Sequence, residues 1–167
     1  ARKLGRPTEF TQLGSLDAEV VHARLVLYRA SENVPSRLTV VQGLLISYLT
    51  SVLNATPHCA ALARTVLQRL DGGEALIVAL DRRDYASLDP SDAALATYVE
   101  KLTLRPGEMN QDDIAALRGH GFDDLEILDA NNQCAHLNYT NRVANGLGLL
   151  TEAAMEERTR DRVPSGD

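Results

Sequence analysis

The sequence predicts an all-α domain, and three observations carry that expectation. With no Trp and only two Phe in 167 residues, the core must be built from Leu, Val, Ile and Ala, a composition that suits helices. Helix start and stop signals follow one another along the chain, and no stretch reads as a convincing strand. Residues 38–63 carry no Asp, Glu, Lys or Arg, as expected of a helix that is apolar around most of its circumference and sits in the middle of a domain or a subunit interface. At 44% hydrophobic, the chain can fill one such core.

Residues 1–14 are polar, with Gly5, Pro7 and Gly14, and read as a flexible arm before a helical domain over 15–150 and a tail over 151–167. Asp17 opens a first helix to about Ala30, with Val20, Val21, Leu25 and Leu27 among its apolar positions. Asn33-Val34-Pro35 breaks the chain, and Ser36 is placed to cap the apolar helix that runs to about Leu53. Thr56 reads as the next cap with Pro57 at the first helical position; this helix runs to about Leu70, ended by Gly72-Gly73, and a short helix covers 74–80. Asp89-Pro90-Ser91-Asp92 combines cap, first-position proline and first-turn acid; its helix carries Leu95, Tyr98, Val99 and Leu102 and stops at Pro106-Gly107. Asn110 caps a short helix with Asp112 and Asp113 in its first turn, ended by Gly119 and Gly121. Asp123 opens the last long helix, to about Asn145, closed by Gly146 and Gly148. Thr151 starts a short acidic-basic tail helix before Pro164.

Net charge of −6 with no basic run argues against nucleic-acid and anionic-membrane partners. Thr39, Gln42, Ser47, Thr50, Ser51 and Asn54 make the uncharged run too polar for a membrane span, and Asn54–Pro57 interrupts it. The first residues, with Arg2, Lys3, Arg6 and Glu9, show no signal peptide. Two cysteines make no disulfide scaffold, so a cytoplasmic setting is expected. There is no C-x-x-C, zinc spacing, phosphate-loop glycine pattern or G-x-S-x-G, and neither a cofactor nor a metal is expected.

Thr56-Pro57-His58-Cys59 carries the chemistry. Cys59 falls at the third helical position, among backbone N–H groups without intrahelical partners. Those groups and the helix dipole favour an anion, so the thiol is expected to lose its proton more easily than a free cysteine. His58 is the neighbouring proton partner, although adjacent helical side chains diverge by about a hundred degrees. The alternative is a small buried side chain at a helix start, whose burial would raise its pKa.

Two blocks resemble the carboxymuconolactone decarboxylase and alkylhydroperoxidase D superfamily, most closely its peroxidase-related branch. Ser51-Val52-Leu53-Asn54-Ala55-Thr56-Pro57-His58-Cys59 is similar to the family's serine, asparagine-glycine and C-x-x-C segment. Leu88-Asp89-Pro90, Glu100-Lys101-Leu102-Thr103, Pro106, Asp112–Leu117, Gly121, Glu126-Ile127-Leu128-Asp129 and the run from Asn138 to Gly148 form the second block, and the resemblance covers roughly residues 36–149. It implies an AhpD-like helical domain assembled as a homo-oligomer, a dimer, trimer or hexamer. In active relatives a C-x-x-C pair reduces peroxides, helped by an upstream glutamate and a downstream histidine. Cys59 fills the second cysteine position and His58 the one before it, whereas Leu44, Thr56 and Ala63 replace the glutamate, first cysteine and histidine. Without a resolving thiol, the regular two-cysteine mechanism cannot operate.

On the last long helix, Cys134 is a candidate displaced resolving thiol and His136 a displaced base; core packing and an interface histidine are the alternatives. Gln133, Asn138, Asn141 and Arg142 are expected to make structural hydrogen bonds across subunits, with an acidic ligand on Arg142 as the alternative. His22, His120, the Asp81–Asp84 run and the Glu152–Asp161 tail read as surface. Three functional readings follow. One is a divergent peroxidase-related enzyme using Cys59 alone, regenerated by an external thiol reductant. Another is a catalytically silent oligomeric binding or scaffold protein. The third is a cysteine-independent decarboxylase or isomerase with His58 or His136 as base.

Overall fold

A computed structural model describes residues 9–33 and 36–149 and shows eight α-helices and no strand among them. They are α1 (Glu9–Gln12), α2 (Ala18–Tyr28), α3 (Val40–Leu53), α4 (Pro57–Leu67), α5 (Gly73–Arg82), α6 (Pro90–Leu104), α7 (Gln111–Gly119) and α8 (Asp124–Gly146). The expected arm lies outside the described residues up to residue 8, and Glu9–Gln12 is helical. The tail helix expected from Thr151 lies outside them altogether.

The uncharged helix α3 sits at the centre, packed against α4, α6 and α8. Leu45, Ile46 and Leu49 on α3 meet Leu95 and Val99 of α6 and Leu67 of α4 in one buried cluster. Burying each such side chain stabilises the fold by about 2 kcal/mol. The buried polar residues of α3 bond locally or to α8: Ser51 Oγ donates to Ser47 O at 2.7 Å, and Gln133 Nε2 donates to Gly43 O at 2.8 Å and to Ser47 Oγ at 3.1 Å. Ser51 Oγ also donates to Asn141 Oδ1 at 3.4 Å. These amides therefore join α8 to α3 within the chain.

The caps fall where the sequence places them at α2, α6, α7 and α8: Asp17, Asp89, Asn110 and Asp123 each accept first-turn N–H bonds. Two boundaries differ. Thr39, not Ser36, caps α3, in a reciprocal box with Gln42, because Ser36 is engaged upstream: its Oγ accepts the Leu38 N–H and donates to Asp129. And α4 ends at Leu67, where tighter turn bonds take over, so Gly72-Gly73 starts the next helix instead of ending this one. Gly72 has φ of 70°, and a Cβ on Gly73 would lie 1.9 Å from the Leu67 carbonyl oxygen. The helix opened by Asp17 continues past Tyr28 into a π-helical turn, Arg29–Asn33.

Candidate functional site

The corner between α3 and α4 positions Cys59. The Thr56 N–H bonds to Ser51 O at 2.9 Å and the Ala55 N–H to Val52 O at 3.0 Å, the paired bonds of a Schellman turn. Ala55 takes the left-handed position with φ of 49°. Asn54 ties this corner to α8: its Nδ2 donates to Asn138 Oδ1 at 2.9 Å, and its carbonyl accepts from Asn145 Nδ2 at 2.9 Å. Pro57 then sits at the first helical position, although the Thr56 side chain donates back to Asn54 O and makes no cap bond. Cys59 is a half-buried free thiol in the first turn of α4.

The expected acidification of this thiol is overturned. Burial first, and the charge of Glu32 second, push the Cys59 pKa up to about 11. Desolvation and the Glu32 charge outweigh the helix N-terminus here.

Glu32 is the residue that sequence reasoning missed. It comes from the π-helical turn, a helix distortion common at functional sites. Its Oε1 lies 3.4 Å from His136 Nε2, and the two side chains are only 17% and 5% exposed. Burial raises the Glu32 carboxyl to about 7 and lowers His136 below its ordinary value. Near neutrality the contact is thus a neutral or half-ionised pair, not a full salt bridge. Thr140 Oγ1 also reaches His136 Nε2, at 3.3 Å, while His136 Nδ1 is buried without a hydrogen-bond partner. The rings of Tyr28 and Tyr139 flank the imidazole with centroids 6.1 and 6.3 Å away. Burial and Glu32 raise the Tyr28 phenol as well. A signal for Glu32 existed: it is the sole carboxylate between Glu19 and Asp71.

The remaining candidates divide. His58 is half-buried in the first turn of α4. Cys134 is a free thiol sealed in the core, in contact with Thr50 Oγ1 (3.7 Å), Thr103 Oγ1 (3.6 Å) and Asn138 Nδ2 (3.6 Å), and burial raises its pKa. Arg142 is exposed and donates Nη1 to the carbonyl and Oδ1 of Asn138. Two surface hollows, of about 400 and 370 Å³, have neither Cys59 nor Glu32 in their walls. Among the described residues no cluster of His, Cys, Asp and Glu could hold a metal ion, and no helix is long and apolar enough to cross a membrane.

Three solved structures share this architecture. An uncharacterized peroxidase-related protein from Silicibacter sp. TM1040 superposes with a TM-score of 0.78, at 25% identity over 92% of this chain and 81% of that one. The fold is AhpD-like. A peroxidase-related protein from Ralstonia eutropha JMP134, described as an alkylhydroperoxidase AhpD core, gives 0.69 at 23% identity over 83% of this chain and 74% of its own. An Agrobacterium tumefaciens protein of unknown function, proposed as an antioxidant defence protein AhpD, gives 0.71 at 21% identity over 82% and 93%. No family model and no curated protein matches the sequence. In this AhpD-like chain Leu44 packs against the core, and Thr56 and Ala63 are buried. The carboxylate that acts electrostatically on Cys59 is Glu32 of the π-helical turn, which pairs with His136 of α8.

Proposed function

We propose that this AhpD-like protein is a divergent peroxidase-related enzyme that reduces hydroperoxides through Cys59 as a single redox thiol. The Cys59 sulfur attacks the outer peroxide oxygen, the O–O bond breaks, and the thiol becomes a sulfenic acid while an alcohol leaves. Two equivalents of an external thiol then restore Cys59, releasing water and a disulfide. The observation that carries this reading is the buried Glu32–His136 pair, whose carboxylate acts electrostatically on the Cys59 thiol. A thiol that feels a buried carboxylate sits in a polarised setting that aliphatic packing does not provide. The peroxidase-related descriptions of the structural neighbours agree with it. Two free thiols fit a reducing compartment. The protein works as a homo-oligomer, for which the exposed apolar side chains of α2 provide a surface.

The raised thiol favours a competing reading, a catalytically silent binding or scaffold member, because a neutral thiol is a poor nucleophile. Consumption of tert-butyl hydroperoxide with dithiothreitol as reductant separates the two. The wild type should turn over, and Cys59→Ser should lose about a hundredfold or more of that rate. Equal rates for the two proteins leave the silent reading.

A further inference from the structure

We propose that Glu32 and His136 form a pH-sensitive latch that holds α2 and the π-helical turn on α8. The latch is independent of the peroxidase reading, and its test uses no peroxide.

Helix α2 is turned inside out. Arg24, Tyr28 and Glu32 follow one another at four-residue spacing, which puts them on one stripe of the helix and its π-helical continuation. All three meet α8. Arg24 Nε donates to Tyr139 OH at 3.0 Å, the Tyr28 ring lies 6.1 Å from the His136 ring, and Glu32 Oε1 stands 3.4 Å from His136 Nε2. Leu25, Val26 and Leu27 are exposed instead, and α2 buries no residue. A polar seam therefore holds the segment, with little apolar burial to keep it in place when the seam fails.

The buried pair decides when that happens. His136 Nε2 is shared between Glu32 and Thr140, and its Nδ1 is buried without a hydrogen-bond partner. With one proton between them, Glu32 and His136 carry no net charge. Losing that proton leaves a buried carboxylate, and gaining a second leaves a buried imidazolium; either is costly. The titratable and charged groups around the pair are Arg24 and Tyr28 of α2, Tyr139 of α8, and Cys59 of α4, which feels the Glu32 charge. Arg29, on the same turn as Glu32, is exposed, and α3 carries no charged residue. Arg24 is engaged by Tyr139 and lies over the Phe10 ring, 5.6 Å from its centroid. Burial raises the docked Glu32 carboxyl from 4.5 to about 7, so its part of the docking is fully present below about 4.5 and lost as pH rises through 7. Burial lowers His136, so its part is present above 6.5 and lost as pH falls through its folded value.

Amide hydrogen exchange of the full chain, read by mass spectrometry from about pH 5 to about pH 8 and corrected for the intrinsic rate, tests the latch. Glu32→Gln keeps the side chain's shape without its charge. Over residues 18–33 the variant should be only a few-fold better protected than the wild type at about pH 5, and about a hundredfold better at about pH 8. Amides of α3 should exchange alike in the two proteins. Tyr139→Phe removes the acceptor of Arg24 and should lower protection of residues 18–33 by one factor at every pH. A ratio between Glu32→Gln and wild type that stays constant or falls as pH rises overturns the latch, because a merely structural side chain gives no pH dependence. So does a segment that is open, or closed, at every pH in both proteins.

Discussion

Ala55 is a strained residue that the corner before Cys59 requires. It occupies the left-handed position of the Schellman turn with φ of 49°, where a Cβ costs roughly 1–2 kcal/mol. Glycine is free of that cost but loses more entropy on folding, so Ala55→Gly should stabilise the protein by about 0.5–1 kcal/mol and raise Tm by about 2 °C. An unchanged or lower Tm in thermal unfolding would show that the turn carries no strain. Glu32 gives the second residue-scale expectation. Its folded pKa, about 7, exceeds the ordinary 4.5, so the folded state holds the proton more tightly than the unfolded chain does. Stability is then fully present below about pH 4.5 and falls as pH rises through 7, by roughly 3 kcal/mol in all. Glu32→Gln removes that fall, so urea midpoints of wild type and variant should converge near pH 4.5 and separate at pH 8, with the variant the more stable. Parallel midpoints at both pH values would mean that Glu32 is not buried against its charge. Sequence pattern located Cys59 but missed Glu32, because nothing local ties a carboxylate before a chain break to a thiol twenty-seven residues later.

At the scale of elements, helix starts were far more legible than helix ends. Asp17, Asp89, Asn110 and Asp123 cap where they stand because a short acceptor and its own first-turn N–H groups are sequence neighbours. Ser36 misled because its oxygen is taken by Leu38 and Asp129, the latter a residue of α8 that no local pattern brings near. Gly72-Gly73 misled because two glycines read alike as stop or start; what decides is the approach of the Leu67 carbonyl. That approach makes a test. In Gly73→Ala the new methyl would meet backbone, not a yielding side chain, so α5 must shift, with a loss of about 3 kcal/mol. Gly72→Ala adds no contact within 4 Å and suffers only the strain of φ at 70°, so it should lose less. Equal losses in chemical denaturation would remove the close approach as the cause. The polar residues of α8 show the same division between local and distant information. Asn138 links Asn54, Thr103, Cys134 and Arg142, and the sequence marks it as polar on an apolar helix without saying which elements it joins.

For the whole molecule, the all-α class was legible because composition and helix signals repeat along the chain, and one uncharged helix announced the centre. The proposed assembly was not, since a single chain shows an apolar surface but not what covers it. Helix α2 buries no residue within the chain, yet Leu25, Val26, Leu27 and Tyr28 are 42–53% exposed on it. A helix of this kind gains little from its own fold and a great deal from a neighbour. It also carries the site, because Tyr28 ends α2 and Glu32 follows on the turn beyond it. Arg24 fastens α2 to α8 by donating Nε to Tyr139 OH at 3.0 Å, on the flank of His136. Leu25→Glu with Val26→Glu places charges on the apolar surface of α2, and burying an unpaired charge costs several kcal/mol. The double variant should lower the mass measured by light scattering while leaving the α3-centred core folded, because neither side chain belongs to it. A wild type that runs as a single chain in solution would end the assembly proposal, and a double variant that keeps the wild-type mass would show that α2 is not the surface it uses.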